Sequence, residues 1–318
     1  MWGFVFPGQG SQHVGMGRFL YDDFRSSQLL FEEASDAVGV NFKKLCFEGP
    51  ESELTLTAQT QPALLLISQA LYQAIQEVAG LRPHLAAGHS LGEYSACVAS
   101  GAVSFADGIR TVRQRGQFMQ EAVPVGQGGM AAVLGLEDSE VRILCQWASA
   151  ESKLGPLEPA NYNCPGQVVI SGSAKTLNWL STQDLGSVLP KKPKLIPLNV
   201  SAPFHSSLMK SAQEKMAFVL RALPLRNPEF PIVQNVTAEK TSGVEDLRQN
   251  LIEQISAPVR WTESLQRMKQ EGVDRILECG PGKVLAGLAK KIDRELVSFN
   301  IQSIDDLRSL EKLARENS

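Results

Sequence analysis

Residues 84–96 read HLAAGHSLGEYSA, and the order of patterns within this stretch decides the fold class. Residues 84–90 form a short apolar strand pattern that enters a turn, and a helical pattern follows Ser90. Near the end of the chain, residues 274–292 likewise read as a strand, a glycine–proline turn and a helix. Together with a first strand at residues 2–6, this alternation predicts an α/β fold with a largely parallel sheet.

Two long helical patterns lie on either side of the opening stretch. One runs from Pro62, at a helix-start position, to Gly80, at a C-cap position, and is apolar enough to predict a buried helix. The other covers residues 105–122 and has apolar side chains at helical spacing. Both patterns support the α/β prediction.

The middle of the chain has a different order of elements. Between about residues 129 and 198, the patterns run strand, helix, strand, strand, helix, strand, which is the order of a ferredoxin-like unit. Segments that contain proline and glycine flank it. The sequence therefore predicts a small ferredoxin-like subdomain, residues 127–198, inserted into a larger α/β subdomain made of residues 1–126 and 199–318.

The composition of the 318 residues is that of an ordinary globular enzyme, with 43% hydrophobic and 20% charged residues. A net charge of −3 argues against a nucleic-acid-binding protein, and no apolar run approaches the roughly 20 residues needed to cross a bilayer. Five scattered cysteines without a CxxC pair predict free thiols and no zinc site. We expect a cytoplasmic protein, or one in an organelle matrix if a targeting segment has been trimmed.

The turn inside the opening stretch carries a G-x-S-x-G motif, Gly88-His89-Ser90-Leu91-Gly92. Its glycines relieve crowding at a sharp strand-to-helix turn, so that the Ser90 hydroxyl projects above the sheet. The helix that follows adds a positive dipole end and free backbone N–H groups, which suit an oxyanion. The motif alone is weak, but the apolar strand before it and the helix after it predict that Ser90 is a nucleophile.

A serine nucleophile needs a base, and the chain has four histidines to supply it. His84 precedes the strand, and His89 should point away from its neighbour Ser90, because consecutive side chains alternate along a strand. His13 lies in the first loop and is a weaker candidate for the site. His205 follows a strand and a proline-containing turn and comes after the nucleophile in the chain, as in α/β-hydrolases, so His205 is the predicted base.

No acidic residue stands out as the third member of a catalytic triad. Asp138, Glu158 and Asp184 all fall within the predicted insert, and none is well placed after a strand. We therefore predict a Ser–His pair whose imidazole is oriented by another group, such as a backbone carbonyl.

The helical pattern at residues 105–122 carries Arg110, Arg113 and Arg115. Arg115 is turned away from the face that Arg110 and Arg113 share. A buried arginine would need a carboxylate to bind with two parallel hydrogen bonds. On the residues alone, all three arginines are interpreted as solvated.

A glycine-rich turn, FPGQGSQ at residues 6–12, follows the first strand and suggests a nucleotide phosphate site. The spacing excludes this function, because a dinucleotide fingerprint would need glycine where His13 stands, and a P-loop would need lysine where Met16 stands. What remains is a turn that lets the backbone approach a reacting group closely.

These motifs together resemble one family, the bacterial-type malonyl-CoA:acyl carrier protein transacylases of fatty acid synthesis. The resemblance covers nearly the whole chain and rests on FPGQGSQ, GHSLGEYSA, RQRGQFMQEA, SAPFHSSLM, QISAPVRW and ECGPGKVL, in the family's order and spacing. Each piece is modest, but the combination is highly specific. It implies a hydrolase-like core with a ferredoxin-like insert, in agreement with the layout above.

The resemblance also implies roles for individual residues. Ser90 is expected to carry the malonyl group as an ester, with His205 as its base. Arg115 matches the arginine that binds the free malonyl carboxylate, which reverses its interpretation as a solvated residue. Gln9 and the backbone N–H of Leu91 match the oxyanion hole.

Two further positions complete the set that the resemblance implies. The backbone carbonyl of Gln254 is expected to orient the histidine, which would explain the missing acid. Phe204 resembles the bulky residue of malonyl-selective members and should crowd a methylmalonyl group.

The implied substrates are malonyl-CoA and holo-acyl carrier protein, with no bound cofactor or metal and no nucleic-acid or membrane partner. The chain is expected to act as a monomer. An acidic carrier protein suggests a basic rim, for which the candidates are Lys191, Lys192, Lys194, Lys210 and Lys283.

Two alternatives stay open at this stage. One is a serine esterase or thioesterase, which fits G-x-S-x-G but not the missing acid. The other is a non-catalytic docking module, which would have no reason to keep Ser90, His205 and Arg115 together.

Overall fold

Two separate sheets organise the computed structural model, which describes residues 1–241 and 243–316. The strands in this part of the chain are β1 (Trp2–Phe6), β2 (Leu85–Gly88), β3 (Gly128–Leu134), β4 (Leu157–Cys164), β5 (Gln167–Ser173), β6 (Lys194–Pro197), β7 (Ile232–Val233), β8 (Lys240–Thr241), β9 (Arg275–Glu278) and β10 (Val297–Asn300). The helices are α1 (Arg18–Asp23), α2 (Arg25–Val38), α3 (Phe42–Glu48), α4 (Glu51–Leu54), α5 (Thr57–Ala79), α6 (Leu91–Ala99), α7 (Phe105–Glu121), α8 (Asp138–Ser152), α9 (Ala174–Ser181), α10 (Lys210–Ala222), α11 (Val244–Glu253), α12 (Trp261–Gln270), α13 (Val284–Ile292) and α14 (Ile304–Glu316).

The larger sheet has the strand order β10-β9-β1-β2-β7-β8 and is parallel except for the pairing of β7 with β8. The sequence of strand β1 is a continuous apolar run because both faces of the strand are buried. Phe4 and Phe6 pack into a core cluster on one face, and Val5 packs into a second cluster on the other. Helices cover both faces, as expected for parallel strands.

The register of this sheet brings distant loops together. Phe6, at the end of β1, lies opposite Gly88, at the end of β2, and β7 continues the same edge on the other side of β2. Because the carboxyl ends of parallel strands meet at one edge, the loop that contains Gln9, the turn at Ser90 and the segment after β7 become neighbours.

The smaller sheet has the order β4-β5-β3-β6, with antiparallel pairing throughout, and is formed by the region predicted as a ferredoxin-like unit. Together with the parallel sheet, it confirms the predicted fold class. Hydrogen bonds at 2.9 and 2.8 Å join Tyr162 and Ala160 of β4 to Val259 of the larger unit. The subdomain bounds at 126/127 and 198/199 stay a prediction.

Helix α5 differs from its prediction at one end. It ends as expected at the left-handed Gly80, but it begins at Thr57, so that Pro62 lies inside it and not at its start. The residues before Pro62 are held by burial, since Thr57, Thr60 and Gln61 are almost inaccessible to solvent. This packing outweighs the local preference of proline for the first turn, and it places Gln61 inside the molecule.

None of the helices within the described residues is long and apolar enough to cross a lipid bilayer.

Candidate active site

Ser90 lies at the turn between β2 and α6, at the edge of the sheet where the loops meet. Its backbone has φ 53° and ψ −107°, a strained combination for a residue other than glycine. The flanking glycines are required by close approach: a Cβ on Gly88 would lie 1.9 Å from the Gly92 carbonyl carbon, and one on Gly92 would lie 1.9 Å from the Phe6 carbonyl oxygen. This close packing of α6 against β1 and β2 helps to hold the serine in such a turn.

His205 is the histidine that contacts the serine. Its Nε2 atom lies 2.7 Å from Ser90 Oγ, and its Nδ1 atom lies 2.9 Å from the Gln254 carbonyl oxygen and 3.1 Å from that of Ala257. Because carbonyl oxygens only accept, Nδ1 carries the proton and Nε2 keeps its lone pair for the serine hydroxyl. The side chain is therefore oriented as a base.

The environment of His205 also disfavours its charged form. The side chain is 3% exposed, and burial together with the nearby positive charge of Arg115 lowers its pKa from 6.5 to about 3. At neutral pH the imidazole is consequently neutral and able to accept a proton.

Arg115 is buried in the same place, contrary to its interpretation from the residues alone as a solvated side chain. It is 1% exposed, whereas Arg110 on the outer face of α7 pairs with Asp107. Its guanidinium donates to Gln61 Oε1 at 3.0 Å, to Gln254 Oε1 at 2.8 Å and to Ser90 Oγ at 3.1 Å. All three acceptors are neutral.

Two further features leave this arginine able to bind an anion. Its Nε–H is buried and has no hydrogen-bond partner among the described residues. Burial lowers its pKa, although the Tyr94 ring, 5.3 Å away, and the Glu93 carboxyl oppose this shift. The charge of the guanidinium is thus incompletely compensated, and a ligand carboxylate in the cavity that Arg115 lines would supply the missing negative charge.

A cavity of about 330 Å³ opens in front of these groups. Its lining includes the predicted site residues Gln9, Ser90, Leu91, Arg115, Phe204 and His205. The smaller sheet contributes Met130 and Asn161, so that the cavity lies between the two sheets. Gln254 is fully buried behind it and contacts both His205 and Arg115.

The other histidines do not contact the Ser90 hydroxyl. His89 turns its ring away, as predicted, to bind Asn163 at 2.9 Å and to pack against Trp261. His84 is exposed, and His13 lies beside a separate small pocket. The carboxylates that could have completed a triad do not contact His205 either, because its Nδ1 faces two backbone carbonyl oxygens. Glu158, for example, accepts a hydrogen bond from the backbone of Ser207 at 2.6 Å.

Three polar residues of the site escaped the sequence analysis: Gln61, Glu93 and Asn235. Gln61 is 54 positions from its partner Arg115, and no local pattern connects the two. Asn235 Oδ1 accepts the backbone N–H of Ser90 at 2.8 Å from the segment that follows the neighbouring strand β7. Glu93 could have been found from the sequence, because the other residues of α6 are small, apolar or aromatic, which predicts a buried helix. A carboxylate in a buried helix must have hydrogen-bond partners.

Comparisons with known proteins agree on one relationship. Residues 3–315 match the family model described as the acyl transferase domain. The chain is 45% identical over 318 residues to a malonyl CoA-acyl carrier protein transacylase of Bacillus subtilis (strain 168), covering 99% of this chain and 98% of that protein.

Solved structures give the same result. An acyl-carrier-protein S-malonyltransferase from Burkholderia pseudomallei 1710b superposes with a TM-score of 0.92 at 44% identity, covering 98% of this chain and 99% of the other. A second structure, described as a type II PKS acyl-carrier protein in complex with its malonyl-transacylase, has a TM-score of 0.92 at 40% identity and covers 100% of this chain and 99% of its own.

Proposed function

Since this chain belongs to the acyl transferase domain family, among the malonyl CoA-acyl carrier protein transacylases, we propose that it transfers malonyl groups by a ping-pong mechanism through an ester on Ser90. The donor is malonyl-CoA, and the acceptor is the phosphopantetheine thiol of acyl carrier protein, so that the product supplies extender units for fatty acid biosynthesis. The observation that carries this proposal is the 2.7 Å contact between Ser90 Oγ and His205 Nε2 in a cavity that also contains Arg115.

The first half-reaction forms the ester. His205 Nε2 accepts the Ser90 proton while Oγ attacks the thioester carbonyl carbon of malonyl-CoA. The tetrahedral intermediate then collapses, the C–S bond breaks, and coenzyme A leaves as a thiol with the proton that the imidazolium returns. The neutral resting state of His205 suits the first of these proton transfers.

The oxyanion of the tetrahedral intermediate is stabilised by the backbone N–H groups of Gln9 and Leu91. Both residues line the cavity, and neither N–H has a hydrogen-bond partner among the described residues. Leu91 is also the first residue of α6, where the helix dipole favours negative charge. Losing one such donor typically lowers the rate by about 10²–10³-fold.

Arg115 binds the free carboxylate of the malonyl group and so determines which acyl groups react. A buried guanidinium that is left without an anion is unfavourable, which disfavours acetyl groups. Phe204 lines the same cavity and is 8% exposed, so that a methyl branch on the malonyl carbon would meet its ring.

The second half-reaction passes the malonyl group to the carrier. His205 accepts the proton of the phosphopantetheine thiol, the sulfur attacks the ester carbonyl, and the C–O bond to Ser90 breaks as Oγ recovers a proton. This scheme uses side chains and backbone alone. If water hydrolysed the ester, the net reaction would be that of a thioesterase. The ester must therefore resist hydrolysis until the carrier protein binds.

Intact-protein mass spectrometry after incubation with malonyl-CoA tests this proposal. The expected result is a single malonyl adduct that maps to Ser90, persists without carrier protein and disappears when holo-acyl carrier protein is added. Ser90→Ala is the matched control and should carry no adduct. Rapid release of free malonate without carrier would instead indicate a hydrolase, and no turnover with both substrates would indicate a docking module.

A further inference from the structure

Glu93 is a fully buried carboxylate that the proposed chemistry does not use. It lies in the first turn of α6, three positions after Ser90, and is 0% exposed. Its side chain contacts the segments after β7 and α11, which are the segments that contain Asn235 and Gln254. Each of those residues in turn contacts the backbone of Ser90.

Every hydrogen bond to this carboxylate comes from an N–H donor. Oε1 accepts from Gln234 Nε2 at 3.1 Å, and Oε2 accepts from the Asn235 backbone N–H at 3.0 Å and from Gln254 Nε2 at 2.9 Å. Burial raises the pKa of Glu93 above 4.5, and these donors and the nearby Arg115 charge oppose that rise. Three N–H donors point at this one side chain, which must therefore offer only acceptor atoms. An ionised carboxylate meets this requirement, because both of its oxygens accept hydrogen bonds and neither donates.

Gln254 transmits this requirement to the active site. Its amide has one donor end and one acceptor end, and the donor end faces Glu93 and the Ser90 carbonyl oxygen, both at 2.9 Å. The acceptor end is therefore turned toward Arg115 Nη2 at 2.8 Å. If the amide rotated by half a turn, its NH₂ group would face the N–H groups of the Arg115 guanidinium, and its oxygen would face the Glu93 carboxylate. Both contacts would be unfavourable.

We infer that Glu93 is a positioning residue for acyl-group selection: by accepting from Gln254 Nε2 it fixes the orientation of that amide, and the amide holds Arg115 where it can bind a substrate carboxylate. This inference rests on the proposed function. Glu93 acts through Gln254 and does not itself touch the substrate cavity.

A purely structural role makes a different prediction, and the chain offers a control for it. Glu278 is also 0% exposed, and its two oxygens accept the backbone N–H groups of Leu285 at 3.1 Å and Ala286 at 2.8 Å. It does not line the active-site cavity. Glu278→Gln thus removes a buried acceptor of the same kind without touching Gln254.

The test compares Glu93→Gln, Glu278→Gln and the unaltered protein for Ser90 acylation by malonyl-CoA and by acetyl-CoA. In Glu93→Gln an NH₂ group replaces one of the two acceptor oxygens, so that the three converging N–H donors can no longer all be satisfied and the Gln254 amide is held less firmly. We expect kcat/KM for malonyl-CoA to fall about 10- to 100-fold, the range for lost hydrogen bonds to a charged group, and the malonyl-to-acetyl ratio to fall about 10-fold or more. Glu278→Gln should keep the ratio of the unaltered protein.

Equal losses for both acyl groups in Glu93→Gln, with an unchanged ratio, would overturn the inference and leave Glu93 a structural residue. If Glu93→Gln does not fold, Glu93→Asp is the second variant. It keeps the charge but withdraws the carboxylate from Gln254, and the ratio should fall in the same direction; an unchanged ratio again overturns the inference. Failure of the proposed function is distinguishable, because the unaltered protein would then form no malonyl ester at Ser90.

Discussion

Arg115 Nη2 lies 3.1 Å from Ser90 Oγ, so that the guanidinium donates to the same hydroxyl that contacts His205. In a malonyl group a single methylene separates the reacting carbonyl from the free carboxylate. A carboxylate bound by Arg115 would therefore place the thioester carbon close to the hydroxyl, as needed for a near-attack geometry. The short distance fits malonyl better than a longer diacid.

The first prediction concerns this arginine. Arg115→Ala should lower kcat/KM for malonyl-CoA by about 10²-fold or more, because paired hydrogen bonds to a charged group are lost. The malonyl-to-acetyl ratio should fall with it, as measured by acylation of Ser90 with each thioester. Arg110→Ala, on the exposed face of the same helix, is the control and should change neither value. Unchanged selectivity in Arg115→Ala would remove its assigned role.

The second prediction concerns pH. The proposed mechanism needs neutral His205, and protonation at low pH removes the lone pair on Nε2. Because the pKa of His205 is lowered from 6.5 to about 3, kcat/KM for Ser90 acylation should stay level as the pH falls through 6.5 and decline only well below it. A decline centred near 6.5 in the unaltered protein would contradict this.

The same pH profile tests the cause of the shift. Arg115 is one of the charges that lower the pKa of His205, so its removal should raise that pKa. In Arg115→Met the decline should therefore begin at a higher pH than in the unaltered protein. Acetyl-CoA is the substrate for this comparison, since it does not depend on the guanidinium for binding.

The third prediction concerns the size of the acyl pocket. Phe204→Ala removes a ring that lines the cavity, and the ratio of methylmalonyl to malonyl transfer should rise by about 10-fold or more, the range for one methyl group in an apolar pocket. The ratio is measured with the two thioesters in competition. A ratio equal to that of the unaltered protein would show that another side chain limits the pocket.

The fourth prediction concerns the glycine turn after β1. A Cβ on Gly8 would lie 2.5 Å from the His89 carbonyl oxygen, which is rigid backbone, so that Gly8→Ala must displace the loop that contains Gln9. Acylation of Ser90 should slow by about 10²–10³-fold, the effect of losing one oxyanion donor. In Gly287→Ala the new Cβ meets nothing within 4 Å, and this helical control should be as active as the unaltered protein.

Local patterns in the sequence were sufficient to select several residues that the structure brings together at one cavity. Ser90 stands between an apolar strand and a helix, and the parallel register that this alternation implies brings the loop of Gln9 beside it. His205 could be selected because few histidines compete with it. For Arg115, helical spacing separated it from its neighbours, but only the family resemblance indicated that it turns inward.

The remaining site residues depend on packing that no local pattern encodes. Gln61 reaches Arg115 because α5 begins five residues earlier than its proline suggested, and Asn235 reaches Ser90 because β7 pairs with β2. Their partners are 54 and 145 positions away in the chain. Such pairs are set by the three-dimensional fold and become visible only when the sheet order is known.

Ser90 and His205 both have positive φ, 53° and 56°, where side chains are disfavoured. At most positions alanine is more stable than glycine, by roughly 0.5–1 kcal/mol, because glycine is freer when unfolded. At these two positions that order should reverse, since backbone strain of about 1–3 kcal/mol is relieved only by glycine. Selection for thermal tolerance alone would therefore favour glycine at either place, so that in the proposed mechanism these two side chains are kept at a cost in stability.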